Sequence, residues 1–255
     1  MGLRGIERQK FIREFFKREE MVSVELLAKK LAVSEATIRR DLNRLEDAGV
    51  LTRIYGGATK QKISREYLYR SKVRKQYREK EKIATEAVKY IREDSIIFLD
   101  SGSTTFEIAR LLKIQPIPSL LITNSFPILK ELANTPSIRI YFLGGFFRRD
   151  LADFYSSALL DHIKNFSVDT AFLGVDGISS VSGLTTTDTE TAALGEAIME
   201  ISSQVIVLAD STKVGRAALL PYGDLRKVDY LITDSSTQKK DLKQLQQSGI
   251  KTIFI

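Results

Sequence analysis

Residues 23–58 read SVELLAKKLAVSEATIRRDLNRLEDAGVLTRIYGGA, and this stretch carries the clearest structural pattern in the chain. Two helical stretches follow Ser23 and Ser34, whose hydroxyl oxygens can accept a free backbone N–H at a helix start. Residues 31–33 fit the short turn between two such helices, and Gly49 fits the left-handed residue that follows a helix end. The stretch therefore predicts a helix-turn-helix followed by a small basic hairpin.

The second of these helices has two different faces. Ile38, Leu42 and Leu45 recur at helical spacing and predict a buried stripe. The opposite face suits a DNA major groove, because alanine leaves room for a thymine methyl and arginine can hold guanine through two hydrogen bonds. The candidate DNA-contacting residues are Ser23, Ser34, Ala36, Thr37, Arg39, Arg40, Asn43, Arg44, Arg53 and Lys60.

An ordinary amphipathic helical hairpin with a solvated charged face is the alternative. Arg39, Arg40 and Arg44 taken alone do not decide between the two interpretations. Helix caps, the turn length, the clustered arginines and the following hairpin together favour DNA binding.

The excess of positive over negative charge is confined to the first third of the chain. Residues 1–82 hold 22 Lys and Arg against 12 Asp and Glu, whereas residues 83–255 hold 17 against 20. The formal net charge of +7 therefore arises entirely from the amino-terminal part. Such localisation indicates a polyanionic partner for that part.

Composition divides the chain into three segments. Residues 1–58 form the predicted winged helix-turn-helix domain, in which the apolar spacing of residues 6–17 adds a first helix. Residues 59–80 are dense in basic and sparse in apolar residues, so they cannot build a core of their own. They are predicted to be a linker, which is solvated, in contact with the DNA backbone, or both. Residues 81–255 form the predicted second domain.

Short β-branched runs alternate with helical stretches in the second domain. The runs are SIIFL, SLLIT, IRIYFL, TAFLGV, QVIVLA, DYLIT and KTIFI. Strands that are apolar on both faces are covered by helices on both faces. The stretches 105–112, 127–134, 189–202 and 239–248 are long enough to be those helices. The pattern predicts an α/β domain with a mainly parallel sheet.

The run DSGSTT, residues 100–105, follows the first of these strands and leads into a helix. Small residues, hydroxyl groups and a helix start favour a phosphate site, although a plain tight turn is the alternative. Other polar clusters also end strands, where open α/β sheets bind ligands, and together they predict one polar pocket. Its candidate residues are Asp100, Ser101, Gly102, Ser103, Thr104, Thr105, Asn124, Ser125, Gly144, Gly145, Asp176 and Lys213.

Taken in order, these motifs resemble the DeoR family of bacterial transcription regulators. The resemblance rests on VSVELLA, VSEATIRRDLNRLE and the GGA of the hairpin, followed by DSGSTT, TNS, LGG, LGVDGI, GLTT and DSTKVG. It covers nearly the full chain. Tyr55 stands where the family usually has a histidine in the hairpin, so no role of that histidine is carried over.

The resemblance implies a cytoplasmic regulator, commonly a repressor of sugar or nucleoside catabolism genes. Its partners would be double-stranded operator DNA and a phosphorylated sugar, and its sensor domain would be similar to ribose-5-phosphate isomerase. The phosphate would lie on residues 101–105, with Asp100, Asp176 and Lys213 near the sugar. Because one recognition helix covers only a short half-site, a homo-oligomer, either a dimer or a tetramer, is also expected.

A sugar-phosphate isomerase or deaminase with an appended DNA-binding domain is the rival interpretation. Such isomerases resemble DGADE where this chain has DGISS at residues 176–180, so two acidic positions are missing. Serine without a neighbouring histidine cannot supply the base that isomerisation needs. We therefore expect no catalytic residue, no metal and no cofactor. There is no cysteine and no apolar run of the roughly 20 residues that span a bilayer, so no membrane partner is expected.

Overall fold

The computed structural model of the chain describes residues 5–16, 19, 21–47, 50–54, 56–59, 69 and 72–255. Gly49, Tyr55 and Lys60, which carry predictions from the sequence, lie outside the described residues. By its internal contacts the chain divides into two units, Met1–Leu68 and Tyr69–Ile255.

The described part of the first unit contains three helices and a small sheet. In chain order the elements are α1 (Gly5–Phe15), β1 (Met21–Ser23), α2 (Val24–Leu31), α3 (Glu35–Asp47), β2 (Thr52–Ile54) and β3 (Gly57–Thr59). The strand order is β1-β3-β2, and both pairs are antiparallel. The helix-turn-helix and its hairpin are therefore confirmed. β1 was not predicted, because three residues are too few for an alternating pattern.

Serine hydroxyls begin both helices of the helix-turn-helix, as predicted. Ser23 Oγ accepts a hydrogen bond from the Leu26 amide at 3.0 Å, and Ser34 Oγ accepts one from the Thr37 amide at 3.3 Å. The turn lies one residue later than the sequence suggested. Leu31 is the last residue of α2 and is buried in the core, while Ala32 makes the left-handed bend with a φ of 52°.

The predicted inner stripe of α3 is buried. The side chains that pack in this core include Ile12, Leu27, Ile38, Leu42 and Leu45. Asp41 lies on the same inner side of α3, and its carboxylate accepts a hydrogen bond of 2.6 Å from the Arg8 guanidinium on α1. Core packing and this buried ion pair together set which face of α3 points to solvent.

The sheet of the first unit requires a glycine at position 57. A Cβ atom at Gly57 would lie 2.1 Å from the backbone oxygen of Val22 on the neighbouring strand. No side chain fits that space, so Gly57 lets β1 and β3 approach each other closely.

The second unit is an α/β domain. Its helices are α4 (Tyr77–Val88), α5 (Thr105–Ile114), α6 (Phe126–Leu132), α7 (Ser157–Ile163), α8 (Thr189–Ile201) and α9 (Lys239–Gln247). Its strands are β4 (Ser95–Leu99), β5 (Ser119–Thr123), β6 (Ile138–Phe142), β7 (Phe146–Arg148), β8 (Asp153–Tyr155), β9 (Val168–Gly174), β10 (Gly177–Ser179), β11 (Gly183–Thr186), β12 (Ser202–Leu208), β13 (Leu220–Gly223), β14 (Tyr230–Thr233) and β15 (Lys251–Phe254).

In the described part of this unit, seven strands form one parallel sheet in the order β15-β14-β12-β9-β4-β5-β6. These are the seven apolar runs predicted from the sequence. Ile97 and Leu99 of β4 pack with α4, α5 and α6 on one face of the sheet. Phe98 packs with α7 and α8 on the other face. The predicted fold class, with helices covering both faces, is confirmed.

Two small antiparallel elements were not predicted. The strands β7 and β8 form a hairpin, and β10, β11 and β13 form a second sheet. Each of these strands has only three or four residues. Strands that short contain too few positions for their hydrophobic pattern to be recognised.

The segment predicted as a linker is divided between the two units. Tyr69 and residues 72–80 belong to the second unit, and α4 begins at Tyr77, four residues before the predicted start of that domain. The amino-terminal end of α4 is therefore part of the α/β domain. Within the described residues, no helix is both long and apolar enough to cross a bilayer.

A single guanidinium fastens the β7–β8 hairpin to the rest of the domain. Arg148 Nε and Nη2 each donate a 2.7 Å hydrogen bond to the carboxylate of Asp153. Nη1 donates to Asp188 at 2.6 Å and to Glu190 at 2.8 Å. Arg148 therefore joins the hairpin to the start of α8.

Asp153 continues this network toward the sheet. Its side chain is fully buried, and Oδ2 also accepts hydrogen bonds from Ser101 Oγ at 2.8 Å and Asn124 Nδ2 at 3.3 Å. Burial raises the pKa of Asp153, although the hydrogen bonds and charge of Arg148 oppose that rise. The carboxylate consequently depends on Arg148 for its charge compensation.

We predict that Arg148→Met destabilises the second unit by about 3–5 kcal/mol at neutral pH, because it leaves a buried carboxylate without its cation. In the variant the pKa of Asp153 rises further above that of the unfolded chain. Lowering the pH through this raised pKa protonates Asp153 and removes the unpaired charge, so the deficit should shrink. Urea unfolding of parent and variant at neutral and mildly acidic pH measures both effects.

Arg149→Met is the matched control, since Arg149 is the exposed neighbour in sequence. It should change the free energy of unfolding by less than about 0.5 kcal/mol. A deficit in Arg148→Met that stays the same at both pH values would contradict the assigned role of Asp153.

Candidate functional site

The outer face of α3 presents the side chains predicted to read DNA. Ala36, Arg40, Asn43 and Arg44 are exposed, and Thr37 is half-buried. Within the described residues, neither Arg40 nor Arg44 has an ion-pair partner. Their guanidinium groups are therefore available to a ligand.

Other predicted DNA-contacting side chains already have partners inside the unit. Arg39 pairs with Glu35 at 2.8 Å along the exposed side of the helix. Arg53 of β2 donates a side-chain hydrogen bond to Asn43 Oδ1, and its amide donates to Glu46 at 2.7 Å. These contacts attach the hairpin to α3. In the described part of the first unit, the amide nitrogen of Asn43 has no hydrogen-bond partner.

A polar cleft lies at the carboxyl ends of β4, β9 and β12 in the second unit. The chain runs outward from β4 through β5 to β6, then returns to place β9 on the other side of β4. Open α/β sheets bind ligands at such a switch point. The cleft is partly open to solvent.

Asp100 organises the floor of the cleft. Its Oδ1 accepts hydrogen bonds from the Gly102 amide at 2.8 Å and from Thr105 Oγ1 at 2.6 Å. Its Oδ2 accepts one from the Gly174 amide at 2.6 Å. Burial raises the pKa of Asp100, although these hydrogen bonds oppose the rise. Asp100 thus serves to hold the loops after β4 and β9 together.

Lysine and aspartate side chains meet at Asp176, which also lines the cleft. Asp176 Oδ1 accepts a hydrogen bond from Lys72 Nζ at 3.0 Å and lies 3.9 Å from Lys213 Nζ. Its Oδ2 accepts hydrogen bonds from Thr186 and from the amide and hydroxyl of Thr187. Burial opposes ionisation of Asp176, but Lys72, Lys213 and Thr187 outweigh it, and the pKa lies below its usual value.

The structure brings seven of the predicted ligand residues together around this cleft. They are Asp100, Ser101, Gly102, Ser103, Thr104, Asp176 and Lys213. The hydroxyl of Ser101 is engaged by Asp153. Within the described residues, the hydroxyls of Ser103 and Thr104 have no hydrogen-bond partner. These two hydroxyls, at the start of α5, are the ones free to bind a ligand.

The other five predicted residues do not line the cleft. Thr105 is buried and bonded to Asp100, and Ser125 caps α6 through the Ile128 amide. Asn124 is buried beside Asp153, where it lines a smaller cavity behind the cleft. Gly144 is exposed near the β7–β8 hairpin, and Gly145, with a φ of 132°, packs against the Tyr155 backbone.

Several cleft residues were missed by sequence reasoning. The side chains concerned are Tyr69, Lys72, Lys75 and Lys80. Thr186, Thr187, Asp188 and Asp210 also line the cleft, and they belong to polar clusters that the sequence placed at strand ends, although they were not among the candidate residues. Lys80 had a detectable signal, because it falls on the same helical stripe as Ile83, Ala84 and Ala87. A lysine on a buried stripe is rare unless it has a partner or a function.

Lys80 is the most deeply buried cation of the cleft. Only 4% of the residue is exposed, and its ammonium donates a hydrogen bond to the backbone oxygen of Lys72. Burial lowers the pKa of Lys80 to about 8, with Asp210 opposing and Lys213 reinforcing the shift. Burial also lowers the pKa of Lys213, which Asp176 opposes.

The cleft lacks the features of a metal site. Within the described residues, no group of three or more His, Cys, Asp or Glu side chains is arranged to hold a metal ion. The arrangement instead combines ammonium groups, hydroxyls and a helix start, which suits an anionic, hydroxyl-bearing molecule.

Comparison with known proteins identifies the family of both units. The sequence model described as DeoR-like helix-turn-helix domain matches residues 8–63. The model described as DeoR C terminal sensor domain matches residues 75–235. Together the two matches cover most of the chain in the expected order.

Curated relatives match over nearly their full length. The HTH-type transcriptional regulator GlpR of Haloferax volcanii is 32% identical, covering 97% of this chain and 96% of the relative. The putative aga operon transcriptional repressor of Escherichia coli O157:H7 is 31% identical, covering 98% and 93%. The glycerol-3-phosphate regulon repressor of Escherichia coli K12 is 31% identical, covering 91% and 92%.

Among solved structures, ribose 5-phosphate isomerase A from Methanocaldococcus jannaschii aligns with a TM-score of 0.40 and 21% identity. The alignment covers 54% of each chain. The full-length relatives are named as transcriptional regulators or repressors, so the rival interpretation as an isomerase or deaminase is set aside. The chain belongs to the DeoR family of DNA-binding transcriptional regulators.

Proposed function

We propose that this regulator is a cytoplasmic repressor of carbohydrate-related genes that releases its operator when a phosphorylated sugar binds the second unit. The observation that carries the proposal is the cleft at the start of α5, where free hydroxyls and lysines face the same space. A domain with such a cleft, attached to a DNA-reading helix, has the two parts that ligand-controlled repression requires.

The outer face of α3 supports major-groove reading. Arg40 and Arg44 are exposed and lack ion-pair partners in the described part of the chain, while Ala36 near the helix start permits close approach. Arg40 is the candidate for a bidentate contact with guanine. Ser34 and Thr37, at the start of the helix, suit contacts with DNA phosphates.

The chemistry of the cleft supports a phosphorylated ligand. The free hydroxyls of Ser103 and Thr104 stand at the amino-terminal end of α5, where the helix dipole favours an anion. Lys213 lies on the facing loop and supplies positive charge. The name of one relative points to a phosphorylated metabolite, since that relative is a glycerol-3-phosphate regulon repressor.

Repression of this kind requires more than one copy of the chain. One recognition helix contacts only a short half-site, so useful specificity needs two helices spaced by a turn of DNA or a multiple of it. We place the assembly contacts of the proposed dimer or tetramer on the second unit, which has the larger folded surface.

We predict that Arg40→Ala lowers discrimination at one base position by about 1–3 kcal/mol, because the bidentate contact with a guanine edge is lost. The measurement is the dissociation constant for a duplex that the parent protein selects from a random pool, compared with that for a scrambled duplex.

Arg40→Lys is the matched variant for this experiment. It keeps the positive charge, so the salt dependence of binding should match the parent, but it cannot make the two parallel hydrogen bonds. If Arg40→Ala and the parent show the same ratio of affinities for selected and scrambled duplexes, Arg40 does not read a base.

We predict that Ser103→Asp abolishes the response to phosphorylated sugars while DNA binding is retained. The substitution places a carboxylate where the phosphate is expected, and the negative charges of the carboxylate and the phosphate repel each other. Thermal shift with glycerol 3-phosphate, ribose 5-phosphate and fructose 6-phosphate reports ligand binding, since a ligand that binds only the folded state raises its stability.

Ser103→Asn tests whether charge or bulk is responsible. Asparagine has nearly the volume of aspartate without its charge, so Ser103→Asn should retain part of the response. A Ser103→Asp variant that still releases DNA on addition of an active sugar phosphate would show that the phosphate lies elsewhere.

A further inference from the structure

The chain that leads from the first unit into α4 forms one wall of the cleft. We call Tyr69 and residues 72–80 the connecting segment. Of the described residues, four from this segment line the cleft, namely Tyr69, Lys72, Lys75 and Lys80. Tyr69 follows directly after the last residue of the first unit. A ligand in the cleft therefore touches the stretch of chain that carries the DNA-binding unit.

The carboxylates of the cleft differ in how they are compensated. Asp100 accepts two amides and a threonine hydroxyl, and Asp210 accepts the amide and hydroxyl of Thr212. Asp188 is paired with Arg148. In the described part of the cleft, Asp176 is the carboxylate that pairs with lysines. The contacts of Asp176 with Lys72 at 3.0 Å and with Lys213 at 3.9 Å are thus the ion pairs that an entering anion would compete with, and the Lys72 contact is the shorter.

Lys72 is held at its backbone but free to exchange partners at its side chain. Its backbone oxygen accepts the hydrogen bond from the buried ammonium of Lys80, whereas 49% of its own side chain is exposed. The Asp176 side chain is only 20% exposed, but it keeps Lys213 and the hydrogen bonds of Thr186 and Thr187 when Lys72 leaves, so opening the half-exposed pair has a small cost. A phosphate group carries about −1.5 to −2 charges at neutral pH, more than a carboxylate, and its hydrogen bonds with an ammonium group are charge-assisted as well.

Tyr69 provides an independent sign that the connecting segment faces a ligand. Its hydroxyl oxygen is buried and has no hydrogen-bond partner among the described residues, although it lies at the cleft. Burial raises the pKa of Tyr69, and the charges of Asp100 and Glu107 add to that rise. The hydroxyl therefore keeps its proton and can donate it to an anionic or hydroxyl oxygen.

We propose that the connecting segment binds the effector: the ligand's phosphate replaces Asp176 as the partner of Lys72 and accepts a hydrogen bond from Tyr69. This inference rests on the function proposed above. Lys72 and Tyr69 then determine that the cleft prefers phosphorylated over neutral sugars. Ligand binding in the cleft affects the first unit because the connecting segment, which continues into that unit, changes its contacts when the phosphate binds.

Removal of the ammonium tests this proposal. In Lys72→Met, the dissociation constant for the sugar phosphate that binds the parent should rise about tenfold or more, as expected for loss of one charged hydrogen bond. At saturating ligand, the parent should lose operator affinity by about 5- to 150-fold, whereas Lys72→Met should lose less than about twofold. Calorimetry with glycerol 3-phosphate, ribose 5-phosphate and fructose 6-phosphate, and DNA-binding titrations with the selected duplex, provide the two measurements.

Two further variants isolate the role of Lys72. Lys82→Met removes one lysine from the exposed side of α4, outside the cleft, and should behave as the parent. Lys72→Arg keeps the positive charge and should restore most of the response. Amide hydrogen exchange of residues 69–80 adds a readout without DNA, and the sugar phosphate should change it in the parent and in Lys82→Met but not in Lys72→Met.

The outcomes separate this inference from the proposed function. If a sugar phosphate binds the parent and releases DNA, but Lys72→Met at saturating ligand releases DNA equally well, the inference is wrong and the proposed function stands. If none of the sugar phosphates binds the parent, the proposed function and the inference fall together. Loss of release in Lys72→Met, with normal behaviour of Lys82→Met, supports both.

Discussion

The carboxylate of Asp100 makes the contacts on which the geometry of the candidate ligand site depends. It joins the loop after β4 to the loop after β9 by accepting the amides of Gly102 and Gly174. Space around it is too tight for other residues, because a Cβ at Gly102 would lie 2.8 Å from Asp100 Oδ1. The glycines of the DSGSTT and LGVDGI motifs therefore allow two backbone segments to close around one carboxylate, and the cleft opens beside that junction.

The charged side chains in and behind the cleft have two roles: some stabilise the fold, and others are available to a ligand. Asp100, Asp153 and Asp188 are compensated by amides, hydroxyls and Arg148, and they hold loops and hairpin in place. The lysines are less completely matched, since only Asp176 forms ion pairs with them in the described part of the cleft. Of the residues that the structure describes, four lysines and five aspartates line the cleft, but most of these carboxylates are engaged by amides, hydroxyls or Arg148. The lysines are therefore the groups that the proposed anion would use.

Sequence patterns predicted what depends on local periodicity. The stripe of Ile38, Leu42 and Leu45 and the seven apolar strand runs were sufficient for the helix-turn-helix and the parallel sheet, because each extends over several repeats. The turn after α2 and the short strands β1, β7, β8, β10, β11 and β13 have no such repeats. The turn was placed one residue too early, and these strands were missed. Residues 59–80 were assigned by composition alone, which cannot show that Lys72 and Lys80 belong to the second unit and line its cleft.

Site residues were predictable where a motif follows a strand and less so elsewhere. Ser103, Asp176 and Lys213 were found because the carboxyl ends of parallel strands meet at one edge. The same rule included Thr105 and Ser125, whose hydroxyls instead stabilise the backbone of their own loops. Arg148 was missed because its partners are 5 to 42 residues away in sequence, and no local pattern indicates contacts of that kind.

The order of strands also bears on how the chain folds during synthesis. β4 pairs with β9, and the Asp100 contact with Gly174 joins residues 74 positions apart. Helices and hairpin of the first unit involve much shorter separations, and proteins rich in short-range contacts fold faster. Domains also fold from the amino terminus as they leave the ribosome. A nascent chain would thus have a folded DNA-binding unit before β9 exists, and the cleft proposed to bind a sugar phosphate would form only when synthesis is nearly complete.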